Sequence, residues 1–152
     1  MLFQKLNKKT RIILAIQCLA MLGGASTHVL WIFENGIFAH NTNHPFVSTI
    51  FWDCLSFVDI IAALFLLIRP KWGVVLTLFI ITIDVIHNNV LLLLYKQHIG
   101  DIGLLIWATK YWMLIAQLLF MSFVLLTLKT NLAEINSKTL HAKDIDERKS
   151  NH

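Results

Sequence analysis

Four long apolar runs take up most of this 152-residue chain. They cover residues 11–33, 46–68, 72–95 and about 102–128. Each run reaches the ~20 residues that a helix needs to cross ~30 Å of hydrocarbon. Inside a bilayer a single segment can satisfy its backbone hydrogen bonds only as a helix. The sequence therefore predicts an all-α protein, an integral membrane four-helix bundle.

The distribution of Lys and Arg predicts how the bundle is oriented. Basic residues gather before the first run, between the second and third runs, and after the fourth, whereas the connector 34–45 has none. By the positive-inside rule, the helices run up-down-up-down with both termini cytoplasmic. Three parts follow: a cytoplasmic N-terminal segment (1–10), a four-helix transmembrane domain (11–128) and a cytoplasmic tail (129–152), for which a short surface helix is expected.

The charge balance bears on partners and location. Only 14% of the residues are charged, against roughly a quarter in a soluble domain. The formal net charge of +4 lies on the predicted cytoplasmic face, where it can meet anionic headgroups. The lipid bilayer is therefore an expected partner, and nucleic acid is not. We expect a multi-pass protein of the cell membrane, in the bacterial inner membrane. The first run is expected to be a span and not a cleavable leader, because its apolar stretch continues to Phe33.

Three acidic residues lie inside the apolar runs. Asp53 and Asp59 belong to the second run, and Asp84 belongs to the third. A carboxylate in hydrocarbon is unfavourable unless it is protonated, paired or hydrated. Counted from the predicted inner ends, Asp59 and Asp84 both lie roughly 15–18 Å deep, so they are expected to face one another and to share one proton. A structural role, in which they lock the second helix to the third, stays open.

Other polar residues are expected to join these acids in one pocket. His87 and Asn88 follow Asp84 at i+3 and i+4, so all three share a helix face. The predicted ligand-binding residues are Asp53, Asp59, Asp84, His87, Asn88, His28, Glu34 and Gln117. Lys110 either joins them or anchors the fourth helix at the interface. The predicted cytoplasmic half of the bundle is nearly all Leu, Ile, Val and Phe, so the pocket is expected to be biased toward the outer side.

Two histidine patterns offer a metal-binding alternative. His40 and His44 stand at i and i+4 in the outer connector, a spacing that suits a metal on a helix. His28, Asp53 and His87 at one level would make a two-histidine, one-carboxylate set. A solvated loop explains the first pattern and helix rotation decides the second, so neither a metal nor a cofactor is expected. Cys18 and Cys54 lie roughly 10 Å apart in depth, too far for a disulfide.

The segment that spans the second and third runs carries a resemblance. Phe51-Trp-Asp53, Arg69-Pro70-Lys71-Trp-Gly73 and Asp84-Val-Ile-His87-Asn88 resemble small uncharacterised bacterial four-span membrane proteins, which implies no activity. Glu34 and Asp53 are similar in position to the acids of the EXPERA group, which includes emopamil-binding sterol isomerases. That resemblance implies a bundle of few spans whose buried acids face a lipid-accessible pocket.

Three functions are consistent with these features. The first is a protein that binds or carries a small amphipathic or cationic ligand against Asp53, Asp59 and Asp84. The second is a membrane enzyme for a lipid-soluble substrate, with Asp59 or Asp84 as general acid or base and His87 as its partner. The third is a non-catalytic accessory or assembly subunit. A homodimer is plausible, because a bundle of 17.5 kDa has little internal volume.

Overall fold

A computed structural model describes residues 2–39, 45–94 and 111–150 of the chain. These residues are all-helical, and no strand occurs among them. The helices are α1 (Leu2–Lys5), α2 (Lys8–Asn35), α3 (Phe46–Ile68), α4 (Pro70–Leu94) and α5 (Trp112–Ser150). The start of the fourth apolar run, predicted at about residue 102, lies outside the described residues.

Four of these helices are long and apolar enough to cross a membrane. They are α2, α3, α4 and the part of α5 from Trp112 to Ala142. Their outward faces are apolar too: Phe33, Phe57, Phe79, Leu126 and many similar side chains are exposed. A soluble protein rarely leaves such large apolar surfaces uncovered, whereas lipid tails are as apolar as these side chains. The prediction of an all-α protein with four candidate membrane helices is thus confirmed.

Local sequence explains where the helices begin and end. The Asn7 side chain caps α2 by accepting a hydrogen bond from the Thr10 backbone N–H, at 2.8 Å. Gly36 ends the same helix with φ +89°, a conformation that glycine adopts without a Cβ penalty. Pro70 opens α4 directly after Arg69, at a helical position where its missing N–H leaves no hydrogen bond unmade.

The turn between α3 and α4 depends on a close backbone approach. The Arg69 N–H bonds to the Phe65 carbonyl at 2.8 Å and closes the last turn of α3. On the first turn of α4, a Cβ at Gly73 would overlap with the backbone of Leu66. Only glycine therefore lets the two helices meet this closely, and the pairing of α3 with α4 is fixed from this end.

The core lies between neighbouring helices. The most extensive contacts join α2 to α3, α3 to α4 and α4 to α5, while α2 meets α5 over a smaller interface. The Cys18 thiol of α2 donates to the Ala63 carbonyl of α3 at 3.6 Å. Leu14, Leu66 and Val74 are fully buried. These three side chains lie toward one end of the bundle. We call it the basic end, because Lys8, Arg69 and Lys129 lie there.

The segment after residue 128 differs from the short surface helix that was expected. Helix α5 continues through it without a break to Ser150, because residues 129–150 contain neither Gly nor Pro to interrupt it. Ile135 is fully buried in the same cluster as Leu6, and the Asn7 N–H donates to the Glu134 side chain at 3.2 Å. This part of α5 thus packs on the N-terminal segment.

Candidate functional site

A cavity of about 350 Å³ lies in the half of the bundle away from the basic end. Its walls come mainly from α2, α4 and α5, and α3 contributes a single side chain, Asp59. It is lined by Ala20, Met21, Gly23, Gly24, Thr27, His28, Asp59, Ile80, Ile81, Asp84, Trp112, Met113, Ala116, Gln117 and Phe120. The lining is mostly apolar with few polar groups, and the volume is at the lower end of the range for small-molecule sites.

Asp84 is held by a hydrogen-bond network at one side of this cavity. One carboxylate oxygen accepts from Asn88 Nδ2 at 2.9 Å, and the other accepts from Gln117 Nε2 at 2.6 Å. The same Asn88 Nδ2 donates to Gln117 Oε1 at 3.0 Å, and Trp52 Nε1 donates to Asn88 Oδ1 at 3.2 Å. The network therefore ties α3, α4 and α5 together, and both oxygens of Asp84 are satisfied.

Asp59 lines the same cavity but has fewer hydrogen-bond partners than Asp84 in the described part of the chain. The residue is 5% exposed, and its Oδ1 atom is buried without a hydrogen-bond partner among the described residues. Its Oδ2 atom would lie 2.9 Å from a Cβ added at Gly24. The absence of a side chain at Gly24 thus makes room for this carboxyl group.

The structure gathers half of the predicted ligand-binding residues. His28, Asp59, Asp84 and Gln117 line the cavity, and Asn88 reaches it only through its bonds to Asp84 and Gln117. The remaining three residues lie elsewhere.

Asp53 serves the connection after α2 and does not line the cavity. The residue is 1% exposed, and its Oδ2 atom accepts the Phe38 backbone N–H at 2.6 Å. Phe38 has φ +52°, a conformation that residues with a Cβ adopt uncommonly. The carboxyl group therefore stabilises the chain as it leaves α2. The sequence correctly predicted that Asp53 lies away from the basic end, but it could not show that a backbone N–H would bond to the carboxyl group.

His87 and Glu34 also lie apart from the cavity lining. The His87 ring packs against Phe51 with centroids 4.3 Å apart and meets Trp52 edge-on at 5.9 Å. Helical spacing put His87 on the face of Asp84, but aromatic side chains of α3 cover it. Glu34 is exposed at the end of α2.

The histidine patterns do not assemble a metal site in the described part of the chain. There, no three His, Cys, Asp or Glu side chains come together in a way that could hold a metal ion, so His28, Asp53 and His87 are not gathered as a ligand set. His40, His44 and Lys110 lie outside the described residues. Cys18 and Cys54 are both free thiols, which confirms the expectation that they do not form a disulfide.

The sequence analysis missed a group of polar side chains near the basic end. Thr10, Gln17, Thr77 and Asn131 are fully buried, although this half of the bundle was expected to be nearly all Leu, Ile, Val and Phe. The spacing of Thr10 and Gln17 on α2 would have revealed part of this group, since seven residues place two side chains on one helix face.

Comparisons of this chain with protein-family models, with curated proteins and with solved structures found no match. The resemblances to bacterial four-span proteins and to the EXPERA group therefore stay predictions.

Proposed function

We propose that this chain binds a small amphipathic cation within the membrane, with Asp59 as the counter-charge. The observation that carries this proposal is the carboxyl group of Asp59, which lines a mostly apolar cavity and whose buried Oδ1 atom has no hydrogen-bond partner among the described residues. A carboxylate in such surroundings is unfavourable by itself. An ammonium group beside it would supply the missing charge, while the apolar walls would cover the rest of the ligand.

The neighbouring groups favour a cation over an anion or a neutral molecule. Asp84 adds a second carboxylate to the cavity, and its two oxygens already accept hydrogen bonds from Asn88 and Gln117. None of the described residues that line the cavity is Lys or Arg. A bound anion would therefore meet two acids and, within the described part of the chain, no Lys or Arg from the lining.

We also propose an up-down-up-down arrangement with both termini cytoplasmic, in the cell membrane. The contacts support it: Cys18 meets Ala63, while further along α2 Gly24 meets Asp59, so residue numbers rise on one helix as they fall on the other. The basic residues around Lys8, Arg69 and Lys129 then share one side, as the positive-inside rule requires.

Thermal unfolding of the purified protein in detergent tests the binding proposal. The probe is benzyltrimethylammonium, whose charge is permanent, and its neutral counterpart is neopentylbenzene, which has the same shape. The ammonium probe should raise the Tm of the wild type, and the neutral counterpart should not. D59N should abolish this rise, because an amide has no charge to offer.

The control is D53N, which alters a buried acid outside the cavity. An amide oxygen can still accept the Phe38 N–H, so the protein should fold and the ammonium probe should raise its Tm as in the wild type. Equal stabilisation of wild type and D59N would contradict the proposal. If D59N still binds the probe but no longer converts a lipid-soluble substrate, the acid–base enzyme would be favoured instead.

A further inference from the structure

The interface between α2 and α5 carries a continuous line of inward-facing residues, which we call the α2–α5 seam. Hydrogen bonds join Gln17 to Thr127 and Asn7 to Glu134 across it, and helical spacing continues the same face on α2 (Thr10, Leu14, Met21, Gly24) and on α5 (Phe120, Val124, Asn131). The spacings of three and four residues keep each set on one helix face. The half of the seam away from the basic end is the wall of the cavity.

The other half of the seam is closed and mostly polar, with Leu14 as an apolar member. The Asn7 N–H bonds to Glu134 at 3.2 Å, and Gln17 Nε2 bonds to Thr127 Oγ1 at 3.3 Å. Thr10 and Asn131 lie between these two hydrogen bonds. All three of Thr10, Gln17 and Asn131 are fully buried.

These buried groups leave much of their hydrogen-bonding capacity unused. Thr10 Oγ1, Gln17 Oε1 and both amide atoms of Asn131 have no partner among the described residues. Burying an unpaired amide is unfavourable, and helix packing alone would be better served by Leu or Val. A purely structural seam gives no reason for three such side chains, whereas a path that becomes hydrated does.

A short apolar layer separates the two halves of the seam. Met21 on α2 is 4% exposed and Val124 on α5 is fully buried, and Phe120 lines the end of the cavity next to them. The layer is about two helical turns thick, because Gln17 and Gly24 lie seven residues, or ~10 Å, apart on α2.

We propose that the α2–α5 seam is a transport path, so that the chain carries its cation across the membrane instead of only binding it. The structure then represents a state in which the path is accessible at the cavity and closed at the basic end. Separation of α2 from α5 near Gln17 and Asn131 would hydrate the inner half and release the cation there. This inference rests on the proposed binding of a cation at Asp59.

Proteoliposome uptake of radiolabelled benzyltrimethylammonium tests the path, with the thermal shift by the same probe as the measure of binding. Wild type should take up the probe. Q17L and N131L should lower uptake at least tenfold while the apparent affinity for the probe stays within twofold, since both residues lie outside the cavity. S56A is the matched control, because the Ser56 oxygen is also buried without a partner among the described residues but belongs to α3, and it should change neither quantity.

The outcomes separate this inference from the proposed function. A wild type that binds the probe but shows no uptake overturns the path and leaves the binding site standing. A wild type that does not bind the probe overturns both. Uptake by Q17L and N131L at the wild-type rate also overturns the path.

Thiol labelling keeps the test valid if the leucine variants fail to fold. In a background of C18A and C54A, Q17C should react with the cationic reagent methanethiosulfonate ethylammonium applied at the basic end, and saturating benzyltrimethylammonium should change its rate at least threefold. L19C is the control, because Leu19 is two residues away on the exposed face of α2. Surrounding lipid would keep a thiol there protonated and therefore unreactive. Equal rates for Q17C and L19C would overturn the path.

Discussion

At the scale of single residues, Asp59 and Asp84 share one cavity but differ in their surroundings. Asp84 accepts hydrogen bonds from Asn88 and Gln117, whereas Asp59 Oδ1 has no partner among the described residues. The fixed donors tie Asp84 to the packing of helices, whereas in the proposed function Asp59 meets a ligand. The two side chains therefore predict different consequences when their neighbours are changed.

Gly24 and Gly23 form a matched pair for the cavity. A Cβ at Gly24 would lie 2.9 Å from Asp59 Oδ2, while a Cβ at Gly23 would meet nothing within 4 Å. G24A should displace the carboxyl group and weaken benzyltrimethylammonium binding about tenfold, or ~1.4 kcal/mol. G23A adds a methyl group to the cavity wall without contacting Asp59, so it should weaken binding less than G24A does, although both substitutions favour the helix by up to ~1 kcal/mol. Titration of the thermal shift measures both, and equal affinities would contradict the assigned role of Gly24.

Gln117 tests the network around Asp84. Q117L removes the donor to Asp84 Oδ2 and the acceptor of Asn88 Nδ2, and should lower the free energy of unfolding by about 1–3 kcal/mol. S122A is the control, because Ser122 is exposed and its hydroxyl bonds to the carbonyl of Leu118 within its own helix. Unfolding by SDS in mixed micelles measures both variants. A loss no larger in Q117L than in S122A would show that the network contributes little stability.

At the scale of elements, α5 extends beyond what a membrane crossing requires. A helix of 39 residues is about 58 Å long at 1.5 Å per residue, roughly twice the thickness of the hydrocarbon core. The extra length packs against other parts of the chain, because Ile135 is fully buried and Glu134 accepts a hydrogen bond from Asn7. The end of α5 thus holds the N-terminal segment in place.

Ile135 and Leu140 distinguish this packing from a solvated tail. I135A should lower the free energy of unfolding by about 2–5 kcal/mol, because it leaves a cavity in a fully buried position. L140A should change it by less than ~0.5 kcal/mol, since Leu140 is 67% exposed. The same SDS titration measures both. Similar small effects in the two variants would mean that the end of α5 does not pack on the bundle in solution.

At the scale of the whole molecule, the proposed orientation is open to a direct test in bacteria. Green fluorescent protein fused after residue 152 should fluoresce, and alkaline phosphatase at the same position should be inactive, because both report a cytoplasmic C-terminus. Phosphatase fused after Gly36, in the connector without basic residues, should be active. An active phosphatase at residue 152 would contradict the placement of both termini in the cytoplasm.

The sequence by itself determined the candidate membrane-spanning elements, but not the continuation of α5 beyond residue 128. Apolar length predicts a membrane helix because the bilayer accepts little else, so the four candidate spans were predicted without tertiary information, apart from the region near residue 102 that lies outside the described residues. The mid-bundle position of Asp59 and Asp84 followed from counting residues at a fixed rise per residue. Both properties follow from the order of residues along the chain, so they do not depend on how the helices pack.

Only the tertiary structure decided which polar groups share a space. Helix rotation and the choice of neighbours depend on contacts such as Gly24 against Asp59, and a difference of one residue turns a side chain by ~100°. For this reason Asp53 was predicted in the cavity but bonds to Phe38, and His87 was predicted beside it but packs on Phe51. The buried polar residues of the α2–α5 seam went unseen because isolated Thr, Gln and Asn side chains in apolar runs gain meaning only when two helices bring them together.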